Sequence, residues 1–228
     1  MRAAQPSDLL SVSVTSRRLA LLGLASVGTI LAGMIIAAIA YRGYDGEAYS
    51  PLNHFVSELG EIGASRLAWV FNLGIVLGGA GLGIFLLLLT RHMSGPFRPV
   101  LTLVGLVAGA SGTLVGVFPM DYLMTHRIVS GVFFLSGWIV AGLFTAWLLA
   151  ARRYGFPRWL GAPGAAVVAV SLAFIAVYST YAGADATGRI VNRPSSFWDV
   201  PFLEWAALLS LLAWFVCVSL VLLREPAG

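Results

Sequence analysis

Six apolar runs, each of about twenty residues or more, decide what this chain can become. They are Leu19 to Tyr41, Ser65 to Thr90, Pro99 to Phe118, Ile128 to Ala150, Leu160 to Tyr181 and Pro201 to Leu223. A helix rises about 1.5 Å per residue, so roughly twenty apolar residues cross the ~30 Å hydrocarbon core of a bilayer. In that solvent every backbone N–H and C=O must be paired within the protein, which leaves helices or a closed barrel. Runs of this length are too long for barrel strands. The expected fold is therefore all-α: a polytopic transmembrane bundle of six spans.

Composition agrees. The 228 residues are 59% hydrophobic and 11% charged, against about 25% charged in ordinary soluble domains. After six spans only short connections remain. We read one transmembrane domain over residues 19–223, a tail over 1–18 and a tail over 224–228. The first run follows Arg17 and Arg18, and Ala38-Ile39-Ala40 looks like a signal-peptidase site. The apolar core of a cleaved signal peptide is only about 7–15 residues, so the first run is expected to stay as a span.

The basic residues are all arginine, 14 in number, and the net charge is +4. They form no basic stripe, so nucleic acid is not an expected partner. Their distribution instead sets orientation. Arg2, Arg17, Arg18, Arg91, Arg98, Arg152, Arg153, Arg158 and Arg224 fall on one side with Asp8 and Glu225. Arg42, Arg66, Arg127, Arg189 and Arg193 fall on the other with eight acids: Asp45, Glu47, Glu58, Glu61, Asp121, Asp185, Asp199 and Glu204. The arginine-rich side is expected to be cytoplasmic, which puts both termini there. The composition points to the bacterial cytoplasmic (inner) membrane. The lone Cys217 lies in the last span and permits no intrachain disulfide.

The polar groups that could carry chemistry gather on the acid-rich, outer side. In Tyr49-Ser50-Pro51-Leu52-Asn53-His54-Phe55-Val56-Ser57-Glu58-Leu59-Gly60, a short helix after Pro51 would set His54, Ser57 and Glu58 on one face, ended by Gly60. The alternative is that Ser57 and Glu58 merely cap or pair with helix ends. In Gly116-Val117-Phe118-Pro119-Met120-Asp121-Tyr122-Leu123-Met124-Thr125-His126-Arg127, Pro119 stops the third span and Asp121 can cap the fourth. His126 and Arg127 then lie in that helix's first turns, where positive charge is disfavoured. Acidic partners are expected near them, with Glu58, Asp121 and Glu204 as candidates. In Phe197-Trp198-Asp199-Val200-Pro201-Phe202-Leu203-Glu204-Trp205, Pro201 suits a first helical turn, and Trp198 and Trp205 suit the membrane interface. Glu204 falls about one turn inside the last span, where a carboxylate is costly unless it faces the bundle.

Ser57, Glu58, Asp121, His126 and Glu204 are therefore the candidate catalytic or binding residues. His54 and His126 with Asp121, or with Glu58 in its place, are an acceptable zinc ligand set, although no HxxxH or HExxH spacing fixes such a site. Ser57 with a histidine and an acid is a conceivable nucleophile arrangement. Glycine patterns in the second span (Gly74, Gly78, Gly79, Gly83) and the third (Gly105, Gly109, Gly112, Gly116) permit close helix approach, either inside the bundle or in a homo-oligomer.

These segments resemble a family of bacterial six-span membrane proteins known as domain of unknown function 998. The residues that carry the likeness are Ser50-Pro51, Asn53, Ser57-Glu58-Leu59-Gly60, Phe71-Asn72-x-Gly74, Gly116-x-Phe118-Pro119-x-Asp121, His126 and Phe133-Phe134. His54 stands where that pattern carries an apolar residue. A looser likeness reaches the eukaryotic DRAM and GPI-anchor lipid-remodelling group, through the Ser-acid-x-Gly element, the Gly-x-Phe element, His126 and Glu204-Trp205. That likeness implies membrane lipids as partners and a role in binding or remodelling a lipid or lipid-linked ligand. The other function classes are a small transporter or channel, and a structural or accessory protein. The first of these is disfavoured because the middles of the six runs carry no acids or bases.

Overall fold

The computed structural model describes residues 6–150, 156–181 and 196–224, without the side chains of residues 6–15 and 181. Six long helices carry the chain: α1 (Pro6–Ala40), α2 (Ala68–Leu89), α3 (Phe97–Val117), α4 (Leu123–Ala150), α5 (Gly161–Tyr181) and α6 (Asp199–Arg224). All six are long and apolar enough to cross a membrane, with the membrane part of α1 beginning at Ser16. The protein is an integral, multi-pass α-helical membrane protein. Arg189 and Arg193, expected in the last loop of the acid-rich side, lie outside the described residues, as do Asp185 and the 225–228 tail.

Each helix packs against the next in sequence, and α6 closes the ring on α1 while also touching α4. The outward faces keep large apolar side chains exposed, among them Ile39, Trp69, Leu77, Leu103, Met124 and Ile128. A helix that is apolar all round needs an apolar environment on every face, and here lipid supplies what the bundle does not.

Glycine sets the close approaches. A methyl group on Gly83 would stand 2.9 Å from Gly109 Cα, and one on Gly79 would stand 2.8 Å from Thr113 N, so α2 and α3 touch backbone to backbone. On the other flank of α2, a methyl on Gly74 would lie 3.1 Å from Thr29 O of α1. Both glycine flanks of α2, and the matching flank of α3, are thus filled within the chain, where close contact without the cost of ordering long side chains favours packing in lipid.

At the arginine-rich end the interior is aromatic. Phe85, Phe144 and Trp214 are fully buried, with Phe144–Trp214 ring centroids 5.4 Å apart and Phe85–Phe215 centroids 5.7 Å apart, both edge to face. That geometry suits the ring quadrupoles.

At the acid-rich end the connection from α1 to α2 folds inward. Its two ends pair, Arg42 N donating to Ala64 O at 3.2 Å. Between them a 3₁₀ turn, Val56–Gly60, is sunk among α1, α2 and α6, with Val56, Glu58, Leu59 and Gly60 buried. This turn positions the site.

Candidate functional site

Buried polar bonds hold the Val56–Gly60 turn in place. Glu58 reaches back one turn, its Oε1 accepting from Phe55 N at 2.8 Å, as a third-position glutamate does in a capping box. Its Oε2 accepts from Tyr41 Oη at 3.2 Å, tying the turn to the end of α1. Glu204 Oε2, on α6, accepts from Val56 N at 2.7 Å across 148 residues of sequence. Asn72 Nδ2, on α2, donates to Gly60 O at 2.9 Å. A side chain at Gly60 would collide with Asn72 and Phe71, so the glycine is dictated by proximity. Side chains of α2 and α6 thus satisfy backbone groups of the turn that burial would otherwise leave bare, and Tyr41 satisfies the Glu58 carboxyl group.

An aromatic box flanks the turn. His54 is 2% exposed, with its ring 5.3 Å from Tyr41 and 5.1 Å from Tyr49. Tyr49 Oη accepts from Trp205 Nε1 at 2.9 Å and donates to Phe55 O at 2.9 Å. Burial, and next the nearby Glu204, push the Tyr49 phenol well above its ordinary range, so it remains a donor.

Beneath the turn a cavity of about 70 Å³ runs down the middle of the bundle. A water needs only about 10–15 Å³ of such space. Val56 and Ser57 form its roof. His126, Ser130 and Glu204 line it just below, and the walls further down are apolar: Ile75, Leu82, Leu86, Ala108, Val140, Leu208, Leu211 and Leu212, with Phe215 at the aromatic floor. Glu204 and Phe215 both line it and are 11 positions apart on α6, so the cavity is about 16 Å deep at 1.5 Å per residue. That is about half the hydrocarbon thickness of a bilayer. The cavity belongs to α1, α2, α3, α4 and α6, and its walls include Gly79, Gly83, Gly109, Gly112 and Gly137.

Three of the candidates from sequence, Ser57, His126 and Glu204, share this cavity. Ser57 Oγ also contacts Met120 Sδ at 3.1 Å. His126 is 6% exposed, and its Nδ1 lies 2.8 Å from Phe118 O. A carbonyl only accepts, so Nδ1 carries the hydrogen, and in the neutral tautomer the lone pair is on Nε2.

The other candidates are placed differently. Glu58 is buried but braces the turn and does not line the cavity. Asp121 does not cap α4. It sits in a 3₁₀ turn, Met120–Tyr122, and its Oδ2 accepts from Ile62 N at 3.0 Å on the exposed surface. A proline-led turn runs straight into Leu123, so the aspartate points across to the α1–α2 connection. The single helical face for His54, Ser57 and Glu58 is not formed either. The helical turn begins only at Val56, and His54 belongs to the preceding bend, where Nδ1 meets Asn53 Oδ1 at 2.7 Å. Among the described residues neither His126 nor Arg127 has an ion-pair partner: Arg127 is exposed and His126 turns to a carbonyl. The structure also does not bring His54, Asp121 and His126 together, and no group of three or more His, Cys, Asp or Glu with metal-ligating geometry occurs among the described residues.

Sequence reasoning missed Tyr41, Tyr49 and Asn72, each a hydrogen-bonding partner of the turn. Their signal was present but weak: aromatic and amide side chains just outside or inside the ends of spans. The cavity itself had only an indirect signal in the glycines of the second and third spans, which also read as packing.

A comparison with protein families matches residues 29–221 to the family described as protein of unknown function (DUF998), and the chain belongs to it. No curated protein and no solved structure matches the chain, so the looser likeness to the DRAM and GPI-anchor lipid-remodelling group gains no support.

Proposed function

We propose that this protein binds a lipid or lipid-linked ligand in its central cavity, taking the headgroup at the acid-rich face and the chain into the bundle. We further place that face outward, in a bacterial cytoplasmic membrane, with the arginine-rich ends of the helices in the cytoplasm. One observation carries the reading: Ser57, His126 and Glu204 all line one end of a cavity, about 16 Å deep, whose walls further down are apolar. Ligand sites are typically concave and mostly apolar, with a few convergent polar groups that orient the ligand. Apolar cavity walls stay dry and take apolar guests. The division of this one into a polar end and an apolar shaft matches an amphiphile aligned with its own leaflet. No ionisable side chain lines the lower cavity among the described residues, which does not favour a conduit for ions.

The test is native mass spectrometry of the protein purified with minimal delipidation. The wild type is expected to carry lipid that survives removal of the micelle. Ala108→Phe, which puts a ring into the cavity wall, is expected to lose it while remaining folded. Equal lipid retention by wild type and Ala108→Phe refutes the reading.

A further inference from the structure

The polar end of the cavity offers hydrogen-bond acceptors and no cation, and this deepens the lipid reading on which it rests. His126 Nδ1 is committed as a donor to Phe118 O, leaving Nε2 with a lone pair. Glu204 uses Oε2 to accept from Val56 N, and Oε1 has no hydrogen-bond partner among the described residues. Nor does His126 Nε2, and neither atom is among the fully occluded ones. Both side chains are more than nine-tenths buried, at 6% and 7% exposure, so the room they have is the cavity they line. Ser57 Oγ directs its hydrogen at Met120 Sδ, and its lone pairs remain available. No arginine lines the cavity among the described residues, and the sequence contains no lysine.

We propose that the cavity selects a lipid whose headgroup donates hydrogen bonds and carries no phosphate: a hydroxyl-bearing acyl lipid of the monoacylglycerol kind. Its hydroxyl groups donate to His126 Nε2 and pair with the remaining oxygen of the Glu204 carboxyl group. A phosphate in the same place would set its acceptor oxygens against the lone pairs of His126 Nε2 and Ser57 Oγ, and a negative charge in a buried pocket with no cation to offset it. Selection of this kind is strong because a mismatched headgroup leaves buried polar groups unpaired on both sides.

The experiment compares two probes that share one chain and one glycerol. The full-length protein in detergent is titrated with 1-palmitoylglycerol and with 1-palmitoyl-glycerol-3-phosphate, using quenching of intrinsic tryptophan fluorescence or native mass spectrometry. 1-Palmitoylglycerol is expected to bind about tenfold or more tighter, and His126→Phe, which removes the Nε2 acceptor, is expected to shrink that preference to about threefold or less. If the phosphate-bearing probe binds as tightly or more tightly, the headgroup inference falls and the lipid reading stands. If neither probe binds, both fall. If His126→Phe folds and keeps the full preference, the role given to His126 falls.

Discussion

Replacing Glu204 with alanine isolates the contact on which the roof of the cavity depends. In the native fold Val56 N donates to Glu204 Oε2 at 2.7 Å, and both residues are buried, at 4% and 7% exposure. The alanine variant leaves the Val56 amide in place with no acceptor. An unsatisfied buried donor costs about 1–3 kcal/mol, and at 1.4 kcal/mol per decade this makes local opening roughly 5- to 150-fold more frequent. Amide exchange reads such opening directly, since exchange rates follow the free energy of local unfolding. In nanodiscs, peptides covering residues 55–60 of Glu204→Ala are expected to exchange faster by that factor. Peptides from the α2–α3 contact are expected to be unchanged. Glu204→Gln keeps a carbonyl acceptor and is expected to fall between the two. Unchanged exchange at residues 55–60 in Glu204→Ala would refute the anchoring role of Glu204.

Other expectations follow from the same contacts. Gly109→Leu forces side-chain volume into the α2–α3 contact, where a methyl alone would meet Gly83; it is expected to cost about 1–3 kcal/mol or more in unfolding experiments in mixed micelles. Asp121→Ala removes an exposed contact and is expected to change stability by no more than about 0.5 kcal/mol, with lipid retention unchanged in the same preparation. The Tyr49 phenol is held protonated above the usual tyrosine range, so above about pH 10 the unfolded state loses a proton that the folded state keeps. Stability is therefore expected to fall as pH rises past 10, and Tyr49→Phe is expected to flatten that fall in alkaline melts. For orientation, in a Cys217→Ser background, Asp45→Cys is expected to react with a membrane-impermeant maleimide on intact cells and Ser94→Cys is not.

Much of the bundle is legible in sequence because the bilayer imposes a length and a polarity on each span. The six apolar runs and the six helices agree to within a few residues, apart from the starts of α1 and α4. Helix α4 begins at Leu123 rather than near Ile128, because His126 and Arg127 interrupt the apolar signal without interrupting the helix. The site is legible only in part. Glu204 stands out as a carboxylate inside a span, and His126 as a histidine at a span's start. That Ser57 lines the same cavity depends on a five-residue 3₁₀ turn, whose burial is set by partners on three other elements. Local spacing also misplaced His54 and Asp121, since a helical face and a helix cap are local inferences. The structure instead spends these side chains on an aromatic box and a contact with Ile62.

The central claim is that an amphiphile occupies the cavity with its headgroup under Ser57. Electron cryo-microscopy of the protein in nanodiscs formed directly from its native membrane tests this most directly. The account predicts elongated density running from His126 and Glu204 down to Phe215, with its polar end at the two side chains. A cavity that is collapsed, or filled by side chains with every lipid confined to the outer surface of the bundle, would contradict it.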